Sequence, residues 1–410
     1  MVLDMGQMRR VVITGMGVIS PIGQDLVTYG DNLFSGVCGI APTDFHWLDL
    51  AARYPVAAVK DFDPSPYFDA KKVSMVDRFA QFAVAAARQA FDDSGLALTA
   101  ETAQRMAVIT GTSVGAQNTL EDSFLKMMGT GNPRAHPFTI PRLMSNAGSS
   151  HISMALGITG PGFTVASACA SAVHAIGVAL GMLRSGVVDM AITGGAEACL
   201  TFGTLKGWEA LRVMAPDVCR PFSADRAGLV LGEGAAMLVL ETLDAAKARG
   251  ARIYAELAGI GMSSDAKDIT TPDVGGASRA IAGALADAGL TPEDIDYINA
   301  HGSGTRANDA METAAIKQVL GSRARQVAIS ASKSLFGHAL GAAGALEMLA
   351  AVLAVSRDMA PPTLHYLGPD PECDLDYVPA VARPMTIRAA LNNSFGFGGL
   401  NAVVAVRKLA

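Results

Sequence analysis

Cys169 stands in Val165-Ala166-Ser167-Ala168-Cys169-Ala170-Ser171-Ala172, after a short apolar run and at the opening of a stretch of small residues. Such a position puts the sulfur at the amino end of a buried helix. There the helix dipole and unpaired N–H groups favour a thiolate, and the residue's own N–H can face an oxyanion. A lone buried cysteine is more often a small hydrophobe, so its companions decide the matter. His301 lies in Asn299-Ala300-His301-Gly302-Ser303-Gly304-Thr305, and His338 in Ser332-Lys333-Ser334-Leu335-Phe336-Gly337-His338-Ala339-Leu340-Gly341. Each sits in a glycine-rich turn after a strand, which frees its ring to face a cleft at the carboxyl ends of parallel strands, although either alone is more often structural. Lys333, in the same apolar segment as His338, is costly there unless paired, and Glu347 in the following helix is its candidate partner. His174 falls inside a helix and reads as packing. The segment Asn392-Asn393-Ser394-Phe395-Gly396-Phe397-Gly398-Gly399-Leu400-Asn401 can bring a backbone N–H against a reacting thioester and can move, the plainer reading being a tight β-bulge. No Walker lysine follows it, so it is not a phosphate cradle.

Periodicity supplies the elements that must hold these groups. Short β-branched runs at Arg10–Gly15, Met106–Gly111, Asp189–Gly194, Ala236–Glu241, Tyr297–Ala300, Val327–Ser330 and Ala402–Val406 read as strands buried on both faces. Ala-rich segments alternate with them. Met75–Gly95 places Val76, Phe79, Ala83, Ala86, Ala90 and Phe91 at helical spacing, and Ser278–Ala288 does so for Ile281, Ala284, Leu285 and Ala288. The alternation specifies an α/β architecture with mostly parallel sheets. An internal echo runs through it: a strand leads into SACASAVHAIGVALGML in one half and into SASKSLFGHALGAAGALEML in the other. A duplicated fold would set these two turns face to face. The boundary falls near Gly250, giving 1–250 with the cysteine and 251–410 with both histidines and the glycine-rich loop.

Composition narrows the class. Among 410 residues, 50% are apolar and 17% charged, which rules out a disordered chain. A formal net charge of -6 offers no basic footprint for a nucleic-acid backbone. Five scattered cysteines without a CxxC pair argue against a disulfide framework and a zinc site, and for a reducing, cytoplasmic compartment. The start MVLDMGQMRRVVITGMG reads as the approach to a strand rather than a signal peptide. The longest apolar helical stretches, Val165–Leu183 and Ala339–Val355, are rich in Ala and Gly and interrupted by His174 or Glu347, so they read as core helices rather than membrane spans.

Taken together, SACAS, NAHGSGT, SKSLFGHALGAAGA and NNSFGFGG resemble the 3-oxoacyl-[acyl-carrier-protein] synthases, the elongating condensing enzymes of the thiolase superfamily. The likeness runs from Arg9 to Lys408 and takes in VVITGMGVISPIG and PFSADRAGLVLGEGAAMLVLE in order. The initiating branch pairs its cysteine with His and Asn, whereas a second histidine at 338 matches elongation. The resemblance implies a duplicated thiolase-like fold, layered αβαβα, with two mostly parallel mixed sheets. It implies a decarboxylating Claisen condensation: Cys169 takes an acyl chain as a thioester, backbone N–H groups of Cys169 and Phe397 stabilise the oxyanion, and His301 and His338 donate to the malonyl thioester. Lys333 with Glu347 would orient His338, and neither a metal nor a redox cofactor is required. Ser303, Thr305, Phe395, Gly398 and Gly399 would line the substrate path together with Val114 and Trp208, while Asp265, Asp309 and Glu312 would fix loops. Acyl carrier protein is the implied partner, docking on Lys71, Lys72, Arg78 and Arg212, and a homodimer is the implied assembly.

Some positions depart from the family pattern. Ser303 replaces a threonine, Trp208 falls where phenylalanine is common, and Ser74-Met75 stand where a basic pair usually precedes the first long helix. The stretch ITGGAEACLTFGTLKGWEALRVMAPDVCRPFS is closer to nodulation-type synthases, which make unusual acyl chains. Three other readings fit less well. A noncatalytic chain-length partner loses the cysteine and often a histidine. A thiolase acting on free coenzyme A needs a second cysteine near the carboxy terminus, where this chain has Phe-Gly-Phe. A Cys–His hydrolase needs open water at the nucleophile.

Overall fold

The computed structural model describes residues 8–47, 49–129 and 134–409. The first seven residues, part of the segment read as the approach to a strand, therefore lie outside the description. Ten strands form one continuous ladder: β1 (Val11–Ile19), β2 (Met106–Gly111), β3 (Gly162–Val165), β4 (Met190–Glu197), β5 (Gly234–Thr242), β6 (Ala255–Ser264), β7 (Tyr297–Asn299), β8 (Ala328–Ser330), β9 (Ala389–Gly396) and β10 (Leu400–Arg407). Their order is β8-β7-β9-β10-β6-β1-β5-β4-β2-β3. Within β1–β5, β3, β2 and β4 pair in parallel while β5 runs antiparallel to both β4 and β1. Within β6–β10 the pattern repeats: β8, β7 and β9 are parallel, and β10 is antiparallel to β9 and β6. Each half is thus mostly parallel. The two expected sheets meet through two residue pairs only, Val12 with Glu256 and Ile13 with Ala255.

Five helices complete the layers. α1 (Arg78–Ser94) covers the outer face of the first half, and α3 (Val274–Ala288) with α4 (Arg306–Leu320) covers the outer face of the second. Between the halves lie α2 (Ser171–Arg184) and α5 (Ala343–Arg357), packed in one apolar core with strands of both. α5 has no polar face, every residue from Ala343 to Val355 being buried. Its small side chains are what let two sheet surfaces approach from opposite sides. The apolar window Leu340–Arg357 is long enough to cross a membrane, but 89% of it is buried within the protein.

Local chemistry sets the ends. α1 starts at Arg78 because the Asp77 side chain accepts the Phe79 N–H, and it stops at Gly95, whose φ of 65° is left-handed. α3 begins four residues before the expected Ser278, since Asp273 caps it by accepting the Gly276 N–H. β6 and β9 escaped the pattern of β-branched runs, because β6 reads AELAGIGMSS and β9 buries Asn392, Asn393 and Ser394. The glycine-rich segment is therefore shorter than its sequence suggests: Gly396 pairs with Leu400, leaving only Phe397, Gly398 and Gly399 as the turn between β9 and β10.

Candidate active site

Cys169 follows an elbow between β3 and α2. Ala168 takes a φ of 50°, left-handed and strained for a residue with a side chain. Two hydroxyls hold it there, Ser113 and Ser171 donating to the Ala168 carbonyl at 2.9 and 2.6 Å. Cys169 comes next, two residues ahead of the first helical residue. The second half closes over it: Ser394 donates to the Cys169 carbonyl at 3.0 Å. Gly396 packs so close that a Cβ there would stand 3.2 Å from the Cys169 nitrogen. The Phe397 N–H lies near enough to the sulfur to favour its thiolate.

Burial pushes the Cys169 thiol up to about 11, against the Lys333 charge and the Phe397 N–H, which both pull it down. Burial therefore works against the tendency of the helix end to favour a thiolate.

Both histidines line the cavity that holds the sulfur. His338 Nε2 is 3.1 Å from Cys169 Sγ, and His338 Nδ1 accepts the Leu340 N–H at 3.2 Å. The His301 ring stands edge-on to His338 with centroids 5.3 Å apart, and its Nδ1 lies 3.2 Å from Lys333 Nζ. Burial, with the Lys333 charge added, holds both imidazoles well below their ordinary pKa, so both are neutral. A neutral ring whose Nδ1 accepts carries its proton on Nε2. Both rings therefore carry an Nε2–H donor within the cavity that holds the thiol.

Lys333 corrects one expectation. With Glu347 it orients His301 rather than His338: Nζ donates to the His301 carbonyl at 2.5 Å, reaches His301 Nδ1 and pairs with Glu347 Oε1. Both members of the pair are fully buried. The reason is positional. Lys333 opens the short helix Lys333–Phe336, from which it reaches back to the loop after β7, while Gly337 carries His338 past it. Backbone holds His338 instead, its N–H donating to Val230 at 2.7 Å and its carbonyl accepting from Gly232 at 2.9 Å.

Carboxylates pin the surrounding loops. Glu312 accepts the N–H groups of His301 and Gly302, each at 2.8 Å. Asp309 accepts Phe222 N–H at 2.8 Å, and Asp265 accepts Asn401 Nδ2 at 2.7 Å while its own N–H donates to Gly399 at 2.9 Å. A cavity of about 310 Å³ opens from Cys169, His301 and His338 past Phe395, Ser303, Thr305 and Gly399. Trp208 stacks on Phe397 in its wall, ring centroids 5.6 Å apart at 24°. Val114 is not among the lining residues; it is 40% exposed, with its N–H toward Glu197. Gly398 lies at the turn's tip and donates to Ile269 at 2.8 Å.

Of the four basic residues expected to dock a carrier, Lys71, Lys72 and Arg212 are exposed, Lys72 pairing with Asp69 at 3.1 Å. Arg78 is not available, which is a second correction. Its guanidinium is taken by the buried Glu233 carboxylate at 2.8 and 3.1 Å and by the Val59 carbonyl at 2.8 Å. Sequence reasoning missed Ala168, Ser394, Glu197 and Leu340 as participants. All four lay inside segments already singled out, but nothing in their residue types marks their roles.

The beta-ketoacyl synthase N-terminal domain matches residues 8–246 and the C-terminal domain residues 254–367. Nodulation protein E of Rhizobium sp. (strain N33) is 45% identical over 404 residues, covering 98% of this chain and all of that protein. The 3-oxoacyl-[acyl-carrier-protein] synthase 2 of Synechocystis sp. is 44% identical over 409 residues, covering 98% of each. The solved ishigamide ketosynthase/chain length factor superposes with a TM-score of 0.93 at 39% identity, over 98% of this chain and all of that one. With a duplicated thiolase-like fold closing on a cysteine and two imidazoles, this chain belongs to the beta-ketoacyl synthase family and is a condensing acyltransferase.

Proposed function

We propose that Cys169, His301 and His338 carry out decarboxylative elongation of an acyl chain on acyl carrier protein. What supports it is one cavity lined by a buried thiol and two imidazoles, each with a donor directed at its Nδ1. In the first stage Cys169 Sγ attacks the acyl thioester carbon, the N–H groups of Phe397 and Cys169 take the tetrahedral oxyanion, and the thiol proton leaves on the carrier sulfur. Malonyl-carrier protein then enters. Its carbon–carboxylate bond breaks, carbon dioxide departs, and the electron pair becomes an enolate whose oxygen the two imidazoles hold. The enolate carbon attacks the acyl-cysteine and expels the Cys169 thiolate, which takes a proton from solvent. Lys333 and Glu347 fix His301; Glu312, Asp309 and Asp265 fix the loops.

Trp208, Phe395, Ser303, Thr305 and Gly399 form the path to the thiol, with Val114 and Gly398 behind it. Lys71, Lys72 and Arg212 receive the carrier, whose role is written in the Synechocystis relative's name. The unit boundary falls near Gly250. A homodimer forms through the half-exposed edge strand β3, where Phe163 is 41% exposed. Five free thiols fit a cytoplasmic home. A second reading, a synthase for an unusual acyl chain, draws on the nodulation relative and on Trp208 in the cavity wall. Profiling with acyl-carrier substrates of graded length separates the two pathways.

His338→Ala tests the roles. Cys169 should still gain the mass of an acyl group, while decarboxylation of malonyl-carrier protein should fall about 10²–10³-fold, the scale for one lost oxyanion donor. Unchanged decarboxylation would remove His338 from its assigned step.

A further inference from the structure

Glu197 ends β4, does not line the catalytic cavity, and is completely buried. Its carboxylate accepts four hydrogen bonds from two separate loops. Oε2 accepts the N–H of Ser113 at 2.6 Å and of Gly341 at 3.0 Å. Oε1 accepts the Thr112 hydroxyl at 2.8 Å and the Val114 N–H at 3.4 Å. Ser113 is the residue whose hydroxyl holds the Ala168 elbow. Gly341 lies three residues beyond His338 and has no room for a side chain, since a Cβ would stand 2.3 Å from the Ser113 nitrogen. Between them Leu340 sits at a φ of 41°, and the Leu340 N–H is the group that occupies His338 Nδ1. A left-handed leucine persists only where its neighbours hold it.

We propose that Glu197 is a positioning residue that selects the Nε2–H tautomer of His338, by anchoring Gly341 and so keeping the Leu340 N–H on Nδ1. The inference rests on the donor role given to His338 above. Without the anchor Leu340 relaxes toward negative φ and its N–H leaves the ring. Nδ1 can then carry the proton, and Nε2 meets the enolate oxygen with a lone pair instead of a hydrogen.

Two full-length variants test this. Glu197→Gln keeps the volume but places an amide donor against N–H groups, while Glu197→Asp keeps the carboxylate and withdraws it. Three quantities are read: acyl loading of Cys169 by mass, carbon dioxide release from malonyl-carrier protein, and the ¹⁵N signals of the His338 ring. Loading should persist in both, and release should fall toward about a hundredfold in Glu197→Gln and less in Glu197→Asp. The unprotonated-nitrogen signal should lie on Nδ1 in the parent and move to Nε2 in Glu197→Gln. A packing role predicts the opposite order, with the isosteric Gln milder than Asp and the tautomer unmoved; that result overturns the proposal. Should Glu197→Gln fail to fold by circular dichroism, an unmoved tautomer in Glu197→Asp overturns it equally. His338→Ala keeps the two ideas apart: retained decarboxylation there defeats the donor role, while the nitrogen signals still decide what Glu197 does.

Discussion

Alkylation of Cys169 as a function of pH measures how far burial outweighs the helix end. A thiol at about 11 is four units above neutrality, so roughly one Cys169 in ten thousand is ionised at pH 7. Each unit of pH between 7 and 10 then raises the thiolate fraction about tenfold, because ionisation far below a pKa follows the proton concentration directly. Iodoacetamide in excess, with Cys169 followed by peptide mass so that exposed Cys38 does not confuse the count, should give a line of that slope that levels only near 11. Lys333→Met removes the buried cation that opposes desolvation, so its line should lie below the parent's at every pH, with folding checked by circular dichroism. A plateau below pH 9 in the parent would refute the reasoning, because the groups that favour the thiolate would then outweigh burial.

Other consequences are separable by assay. Arg78→Ala strands the Glu233 carboxylate, so urea unfolding should show a loss of about 3 kcal/mol with KM for carrier protein unmoved, while Lys71→Ala should do the reverse. Equal effects on KM would restore Arg78 to the docking surface. Trp208→Ala removes a ring stack of about 1 kcal/mol from the turn that carries the oxyanion donor, so amides 396–400 should exchange faster with deuterium, and unchanged exchange would mean the stack does not brace the turn. For His338→Ala, loading without decarboxylation is the expected split, read by protein mass and released carbon dioxide.

Much of the site was legible because its chemistry is carried by rare residue types at turns: a cysteine before a small-residue helix, and two histidines beside glycines. The buried β-branched runs gave most strands for the same reason, since a fully covered strand has an unmistakable composition. β9 was not legible, because its buried face is polar and its residues look like loop. Arg78 was misread since a cation's availability depends on a carboxylate 155 residues away in sequence, and no local pattern reports Glu233. Lys333 was assigned to the wrong imidazole for a related cause: proximity along the chain favoured His338, whereas adjacency of the parallel strands β7 and β8 favours His301. The depth of the thiol's burial was not legible, because helix-end effects can be read from one segment, while desolvation is a property of everything packed around it.

The seam between β1 and β6 has a bearing on how this protein comes off the ribosome. Cys169 is made long before either imidazole, and Ser394, which caps its carbonyl, follows 225 residues later, with Phe397 just beyond. A nascent chain that has completed only β1 to β5 holds the thiol without either imidazole and without the Phe397 amide. The thiol and both imidazoles stand in one cavity only when the second half has packed against the first.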